Sequence, residues 1–512
     1  MPQSKSNRIT YLLIPLSFMA IFALISKGPF HGDCLYLALS AEKTWTLYKI
    51  HPMFGSGYPL TVLLAALGVG LLRCFSVQDP VMAVNIMNVC FGSLSLFLLY
   101  ILGRKIFSPL AALFSALLLF TFPIFLGLAV YGNSHIPSLF FLLGGILFIV
   151  NFRQDGDRKN FFLGSVFLGL MGGARLQDMI LMMIPVSVLL LLGAPRRWKK
   201  NDSPPRGVSL VSLIEFWIIA ILVAAAFHLL FIFKQNRGYY IDQFFLFWNW
   251  GVTTNFRGIF SSFLPASFLH ILFGLTPVGM FLTICGFVLL LRKNPRIFAF
   301  FLLWFAVPFA FYGNLNSSVP RFFLLPSIPL ILAQGYFFAY LFSFRNQFFR
   351  LTTMIVFCSM IFVLFTQIYP ILKFRHEHML LPDFGKYVAS ATEKDAQIIT
   401  GDEIFFVMYY GQRAVFGRPE TSFDFRQKDW IEFKTKLDGL LDQGIPVYIT
   451  GSGLYSYDPG FVFSSFMKKN YDLTLIGIRI AEDWHQGETR LRTGKEKLFR
   501  IHKKSVVKDP SY

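Results

Sequence analysis

The chain has 512 residues, 55% hydrophobic, 18% aromatic and 15% charged, with a formal net charge of +19. A soluble domain carries about a quarter charged residues, so a water-soluble enzyme is excluded; apolar runs of 17 or more residues between Ile9 and Ile371 describe a polytopic α-helical membrane protein instead. The positive charge does not call for nucleic acid as a partner, because most cations of the membrane part sit in short loops between apolar spans, where topology accounts for them.

Lys5 and Arg8 precede an apolar run from Ile9 to Ile25 that lacks a small-residue cleavage site. The expectation is an uncleaved first helix with the N-terminus cytoplasmic. Apolar segments then follow at 58–75, 81–103, 109–128, 136–151, 161–175, 177–193, 209–234, 263–291, 297–312, 322–343 and 351–372. Basic clusters separate them at Arg104/Lys105, Arg153/Arg158/Lys159, Arg196–Arg206, Arg292/Lys293/Arg296 and Arg345/Arg350. All of these fall on the cytoplasmic side if the segment 58–75 does not cross the bilayer. That segment is short, holds glycines and ends in Arg73, which makes it a poor span. About eleven true spans are therefore expected, with 29–80 forming a long outer-face loop.

This parity sends the other polar segments to the same outer side: 129–135, the turn at Arg175–Asp178, 235–262 and 313–321. After Pro370 the composition changes, and residues 373–512 hold 21 Lys/Arg and 19 Asp/Glu. Strand-like runs fall at Gln397–Thr400, Pro446–Thr450, Leu473–Ile480 and Leu498–His502. A helix is expected over Trp430–Leu441, with Ile431, Phe433, Leu437, Leu440 and Leu441 on its apolar face. The expected organisation is a transmembrane domain, 1–372, and a small extracytoplasmic α/β domain, 373–512.

Acidic residues up to 372 number nine: Asp33, Glu42, Asp79, Asp155, Asp157, Asp178, Asp202, Glu215 and Asp242. Asp33 directly precedes a helix-like stretch, so it reads either as an N-cap or as a proton acceptor at the membrane surface, two compatible roles. The five cysteines show no metal-ligand spacing; Cys34 and Cys74 read as free thiols, with a disulfide between them as the other possibility.

The series Asp33, Tyr36 and Ala41, then His51-Pro52 and Tyr58-Pro59-Leu60, resembles the first outer loop of GT-C fold glycosyltransferases, in particular the protein O-mannosyltransferase and lipid A aminoarabinose transferase-like group. RKIFSPLAALFSALLLFTFP (104–123), GGARLQDMILMMIP (172–185) and VPRFFLLPSIPLILAQG (319–335) resemble further segments of those proteins in the same order, over roughly residues 1–345. The resemblance implies an inverting glycosyltransferase whose donor is a sugar on a polyprenyl phosphate, with Asp33 as the base that takes the acceptor's proton or as a residue that orients it. The family's second acid has no counterpart, since Cys34 stands at its place and Glu42 lies too far along. A divalent metal is left open; no cofactor is otherwise implied.

Where the family often has a further acid, this chain has Tyr131-Gly132-Asn133-Ser134-His135. Asn133 or His135 could contact substrate, His135 equally being a helix-start histidine. Arg175 and Arg321, at the outer ends of apolar segments, are either snorkelling arginines or, as the family positions favour, clamps on the lipid phosphate. Asp178 is spaced to pair with Arg175. Tyr36, His51 and Tyr58 join the candidate substrate residues. Arg257 does so more weakly, as do Lys234 and Arg237, while Trp248 and Trp250 fit an interfacial belt. The implied partners are the lipid-linked donor, membrane lipids and a glycan, lipid or protein acceptor, with a bacterial inner membrane as the expected site. A flippase for a lipid-linked sugar would show repeated halves and ionisable groups within its spans, neither of which the sequence has. An inactive relative acting as an assembly partner is the other alternative.

Overall fold

The computed structural model describes residues 14–51, 53, 58–192, 208–234, 263–315, 319–401, 403–417, 427–456, 458–482 and 489–504. Two compact units result, one from Met1–Ser26, Leu37–His376 and His485–Arg490, the other from Lys27–Tyr36, Glu377–Trp484 and Leu491–Tyr512.

The first unit is helical. Its elements are α1 (Gly32–Leu47, begun in the second unit), α2 (Pro59–Cys74), α3 (Pro80–Ile106), α4 (Pro109–Thr121), α5 (Pro123–Ala129), α6 (His135–Asp155), α7 (Arg158–Ala174) and α8 (Leu176–Leu191). There follow α9 (Leu210–Lys234), α10 (Phe263–Leu275), α11 (Pro277–Lys293), α12 (Pro295–Tyr312), a 3-10 turn at Pro320–Phe323, α13 (Leu324–Phe342) and α14 (Gln347–Glu377). Proline opens α2, α3, α4, α5, α11 and α12, where its missing N–H costs nothing. Side chains cap several helix starts: Asp79 accepts from Val81 N, Ser108 from Ala111 N and Asp157 from Lys159 N.

Among the described residues six helical segments are long and apolar enough to cross a membrane: Pro80–Ile106, His135–Asp155, Leu210–Leu230, Pro295–Tyr312, Pro320–Phe342 and Gln347–Ala391. Eight result if each of two bent pairs is one span. The α2 helix is shorter; its 16 residues reach about 24 Å, less than the ~30 Å of a hydrocarbon core. Arg73 in its last turn pairs with Glu42 of α1 at 2.7 Å.

Both bent pairs correct the expectation of unbroken spans. The segment 109–128 turns by 66° at Phe122 before Pro123. The segment 263–291 turns by 95°, because Thr276 takes φ 66°, ψ 156° ahead of Pro277 and caps the new helix by accepting from Gly279 N. Elsewhere the bundle closes through small residues, as lipid-embedded helices do. A Cβ on Gly335 of α13 would fall 2.7 Å from the Ser115 N of α4, so those two backbones meet only because the glycine has none.

The second unit is a five-stranded sheet of order β2-β1-β3-β5-β4, with β1 (Gln397–Ile399), β2 (Ala414–Val415), β3 (Val447–Thr450), β4 (Tyr471–Glu482) and β5 (Thr493–Lys503). β1 is parallel to β2 and β3; β5 is antiparallel to β3 and β4. Alternation sends Ile399, Val447, Ile449 and Ile501 to one face, against Phe433 and Leu437 of α16 (Gln427–Asp442) and Phe463 and Met467 of α17 (Val462–Asn470). Ile398, Tyr448 and Leu498 go to the other face, against Phe384 and Val388 of α15 (Leu380–Ala391). Helices therefore cover both faces. Ile431, expected on the apolar side of α16, is 62% exposed; it lies outside the arc set by Phe433 and Leu437.

Candidate active site

In the first unit the site begins with the run Gly172-Gly173-Ala174 at the end of α7. A Cβ at Gly172 would stand 2.8 Å from Ala224 Cβ of α9, and one at Gly173 would stand 2.9 Å from Phe227 Cδ2. Small residues here let α9 close onto α7. The chain then extends for one residue, Arg175 (φ −154°, ψ 98°), before α8 starts. Thr61 of α2 donates to the Ala174 carbonyl at 3.3 Å and ties this break to α2.

Arg175 is 3% exposed, and its guanidinium is held from four sides. Nε donates to Asp178 Oδ2 at 3.0 Å, and Nη1 donates to Ser134 Oγ at 3.0 Å and meets His135 Nε2 at 3.2 Å. Because a guanidinium only donates, His135 accepts through Nε2 and carries its proton on Nδ1. The Tyr58 ring lies 5.5 Å from the guanidinium carbon, and Gln177 donates to the Tyr58 hydroxyl. Tyr58 itself sits at φ 45°, ψ 52°, a left-handed conformation rare for a tyrosine. Asp178, 5% exposed, also receives Ser138 Oγ at 2.9 Å and the Tyr312 hydroxyl. One atom is left over: Arg175 Nη2 is enclosed and meets no acceptor among the described residues.

Asn133 has a different job. Its side-chain oxygen accepts from His135 N and Ile136 N, capping α6, and its amide donates to the Leu128 and Tyr131 carbonyls. It holds His135 and Ser134 in place through the backbone. Arg321, in the 3-10 turn, lies over the ring of Phe322 at 5.8 Å; that ring stacks on Tyr312 at 5.1 Å and stands 6.0 Å from the His135 ring. The turn carrying Arg321 thus rests on the Arg175 cluster. His51 stands apart, receiving nothing from that cluster: its backbone N donates to Thr44 Oγ1, and burial, then Lys43 and Lys49, holds its imidazole below the ordinary histidine range. Arg257, Arg237, Trp248 and Trp250 lie outside the described residues, as does the side chain of Lys234.

In the second unit Asp33 lies in the first turn of α1, and it is not the cap. His31 takes that position: its Nδ1 accepts from Asp33 N at 2.9 Å, and its carbonyl accepts from Cys34 N. An Nδ1 that accepts has no proton to give the Asp33 carboxylate 3.4 Å away, so we read that approach as a contact of a neutral imidazole rather than an ion pair. The Asp33 side chain is 32% exposed. Tyr36, one turn on, stacks on Phe405 at 4.9 Å. All five cysteines are free thiols. Among the described residues no three His, Cys, Asp or Glu side chains gather as a metal site would need.

Tyr312, Ser134 and Ser138 carry the Arg175–Asp178 geometry and were not singled out in sequence. A serine one position before His135 and another one turn into α6 were visible, but nothing local marks a tyrosine 134 residues away as a partner of Asp178.

Residues 51–221, about a third of the chain, match the family described as dolichyl-phosphate-mannose-protein mannosyltransferase. No curated protein matches the chain in sequence. Among solved structures, ArnT from Cupriavidus metallidurans bound to undecaprenyl phosphate is similar at 12% identity and TM-score 0.59, covering 97% of this chain and 98% of that one. AglB, the oligosaccharyltransferase of Archaeoglobus fulgidus, in complex with an inhibitory peptide and a dolichol-phosphate, is similar at 11% identity and TM-score 0.56, covering 96% and 75%. The arabinofuranosyltransferase AftD from Mycobacteria is similar at 12% identity and TM-score 0.54, covering 96% and 40%. The chain thus has the fold of these membrane proteins, the GT-C architecture that the resemblance implied, and a third of it matches the mannosyltransferase family model.

Proposed function

We propose that this chain transfers a sugar from a polyprenyl-phosphate-linked donor to a hydroxyl acceptor on a glycan, lipid or protein, at the non-cytoplasmic face of a bacterial inner membrane. In this reading residues 1–372 form the catalytic membrane domain, with a cytoplasmic N-terminus, and 373–512 an extracytoplasmic domain. The observation that carries it is the buried Arg175, fixed by Asp178, Ser134, His135 and Tyr58 yet with Nη2 unpartnered among the described residues. A phosphate oxygen is the natural acceptor for such a donor. The undecaprenyl phosphate of ArnT and the dolichol-phosphate of AglB favour that ligand class.

In the step itself the acceptor oxygen attacks the anomeric carbon as the bond from that carbon to the phosphate oxygen breaks. The electron pair leaves on the phosphate, where Arg175 neutralises the developing charge, with Arg321 as a second cation. Asp33 takes the acceptor's proton.

The test is sugar transfer by purified full-length Asp33→Asn, using a polyprenyl-phosphate sugar as donor. Transfer should fall by about 10²–10⁴-fold with the unfolding midpoint unchanged. Arg175→Lys should instead weaken donor binding, since an ammonium cannot reproduce the fork. Wild-type turnover in a folded Asp33→Asn protein would remove the base from the mechanism.

A further inference from the structure

At the far end of α6 from His135 stands a second buried arginine that the reaction does not use. Arg153, in the last turn of α6, is 9% exposed, and both its Nε and its Nη2 are enclosed without an acceptor among the described residues. The charged group that bears on it is Arg296, of the same sign. Arg296 is the second residue of α12, whose N-terminus adds the partial positive charge of its free N–H groups. Nearby, Lys105 at the end of α3 donates to Gln154 Oε1 at 3.4 Å. An enclosed guanidinium without a counter-charge is costly, and a like charge beside it adds to the cost. An anion would relieve both.

We propose that Arg153, at the end of α6, forms a second anion site that takes a phosphate group, either on a lipid headgroup or free. Eighteen residues of α6 separate Arg153 from His135, about 27 Å along the helix axis, close to the ~30 Å thickness of a hydrocarbon core. The site therefore lies at the opposite end of the bundle from Arg175 and is independent of the catalytic reading. Its two open donors, Nε and Nη2, lie on one edge of the guanidinium, the geometry that grips two oxygens of one phosphate.

The experiment measures the unfolding midpoint of the full-length protein in micelles of an alkyl maltoside, a detergent without phosphate. Phosphatidylglycerol, or inorganic phosphate against a chloride control of equal ionic strength, is then added. The wild type should gain stability with added anion. Arg153→Gln should be at least as stable as wild type in the maltoside alone, because an uncompensated charge is gone, and should need about tenfold more anion for the same gain. Arg153→Lys should fall between the two. The same increment should persist in an Arg175→Gln background and vanish when Arg153→Gln is added, which separates the two arginine sites. A gain with phosphatidylglycerol alone assigns the site to a lipid headgroup, and an equal gain with inorganic phosphate assigns it to the free ion. The proposal is overturned if wild type and Arg153→Gln respond equally to both anions. It also fails if Arg153→Gln is less stable than wild type without anion, since the protein itself would then be satisfying Arg153.

Discussion

Asp178→Asn is the sharpest probe of the Arg175 cluster. The side chains of Arg175 and Asp178 are 3% and 6% exposed, so solvent screens the pair little, and removing one partner of a buried pair costs about 3–5 kcal/mol. Asparagine keeps one acceptor oxygen for Arg175 Nε, Ser138 Oγ or Tyr312, which returns about 1 kcal/mol. A net loss of roughly 2–4 kcal/mol is expected, lowering the unfolding midpoint of the purified protein in detergent by about 2–5 °C. Tyr312→Phe removes a single hydrogen bond to a charged acceptor and should cost about 1.5–3 kcal/mol. Because both act on one network, the double variant should be less destabilised than the sum by about 1 kcal/mol. An Asp178→Asn midpoint indistinguishable from wild type, or strict additivity with Tyr312→Phe, would refute the picture of a dry, cooperatively held arginine.

Asn133→Ala should destabilise by about 2 kcal/mol through loss of the α6 cap, whereas Asn133→Asp, which keeps the capping oxygen, should cost less in the same denaturation assay. Gly172→Ala should cost about 1–3 kcal/mol by forcing α9 off α7; Gly439→Ala, in a helix where an added Cβ meets nothing within 4 Å, should instead stabilise by about 0.5–1 kcal/mol. In the second unit, burial and then the hydrogen bond to Glu393 push the Tyr448 phenol up to about 12. A phenol raised on folding adds stability that is complete below its unfolded value near 10 and is lost as pH rises towards 12. Tyr448→Phe should therefore flatten the fall in stability between about pH 10 and 12 and remove one late-titrating phenol from the tyrosinate absorbance curve; superimposable curves would refute the assignment.

What the sequence alone determined is what depends on neighbours along the chain. Hydropathy runs located the helices of the bundle, since a span must satisfy its own backbone within one segment. The four strand-like runs after residue 396 fall on β1, β3, β4 and β5, and Trp430–Leu441 lies within α16, because alternation and helical spacing are local periodicities. The short β2, Ala414–Val415, carries too little pattern to be seen. The motif from Asp33 to Leu60 was legible because it is contiguous in the chain, and the fold came from its resemblance to a known family.

Only the tertiary structure decided which side chains meet. Tyr312 and Ser138 reach Asp178 across 134 and 40 residues, and the Asn133 side chain holds the start of α6. His31 displaced Asp33 from the cap because its imidazole reaches back to the first free N–H groups, while Lys27–Tyr36 joined the unit built from the far end of the chain. A buried charge is stabilised by whatever polar groups surround it in space, and nothing in the spacing of Gly172 to Pro185 says that Arg175 would be left with one donor open.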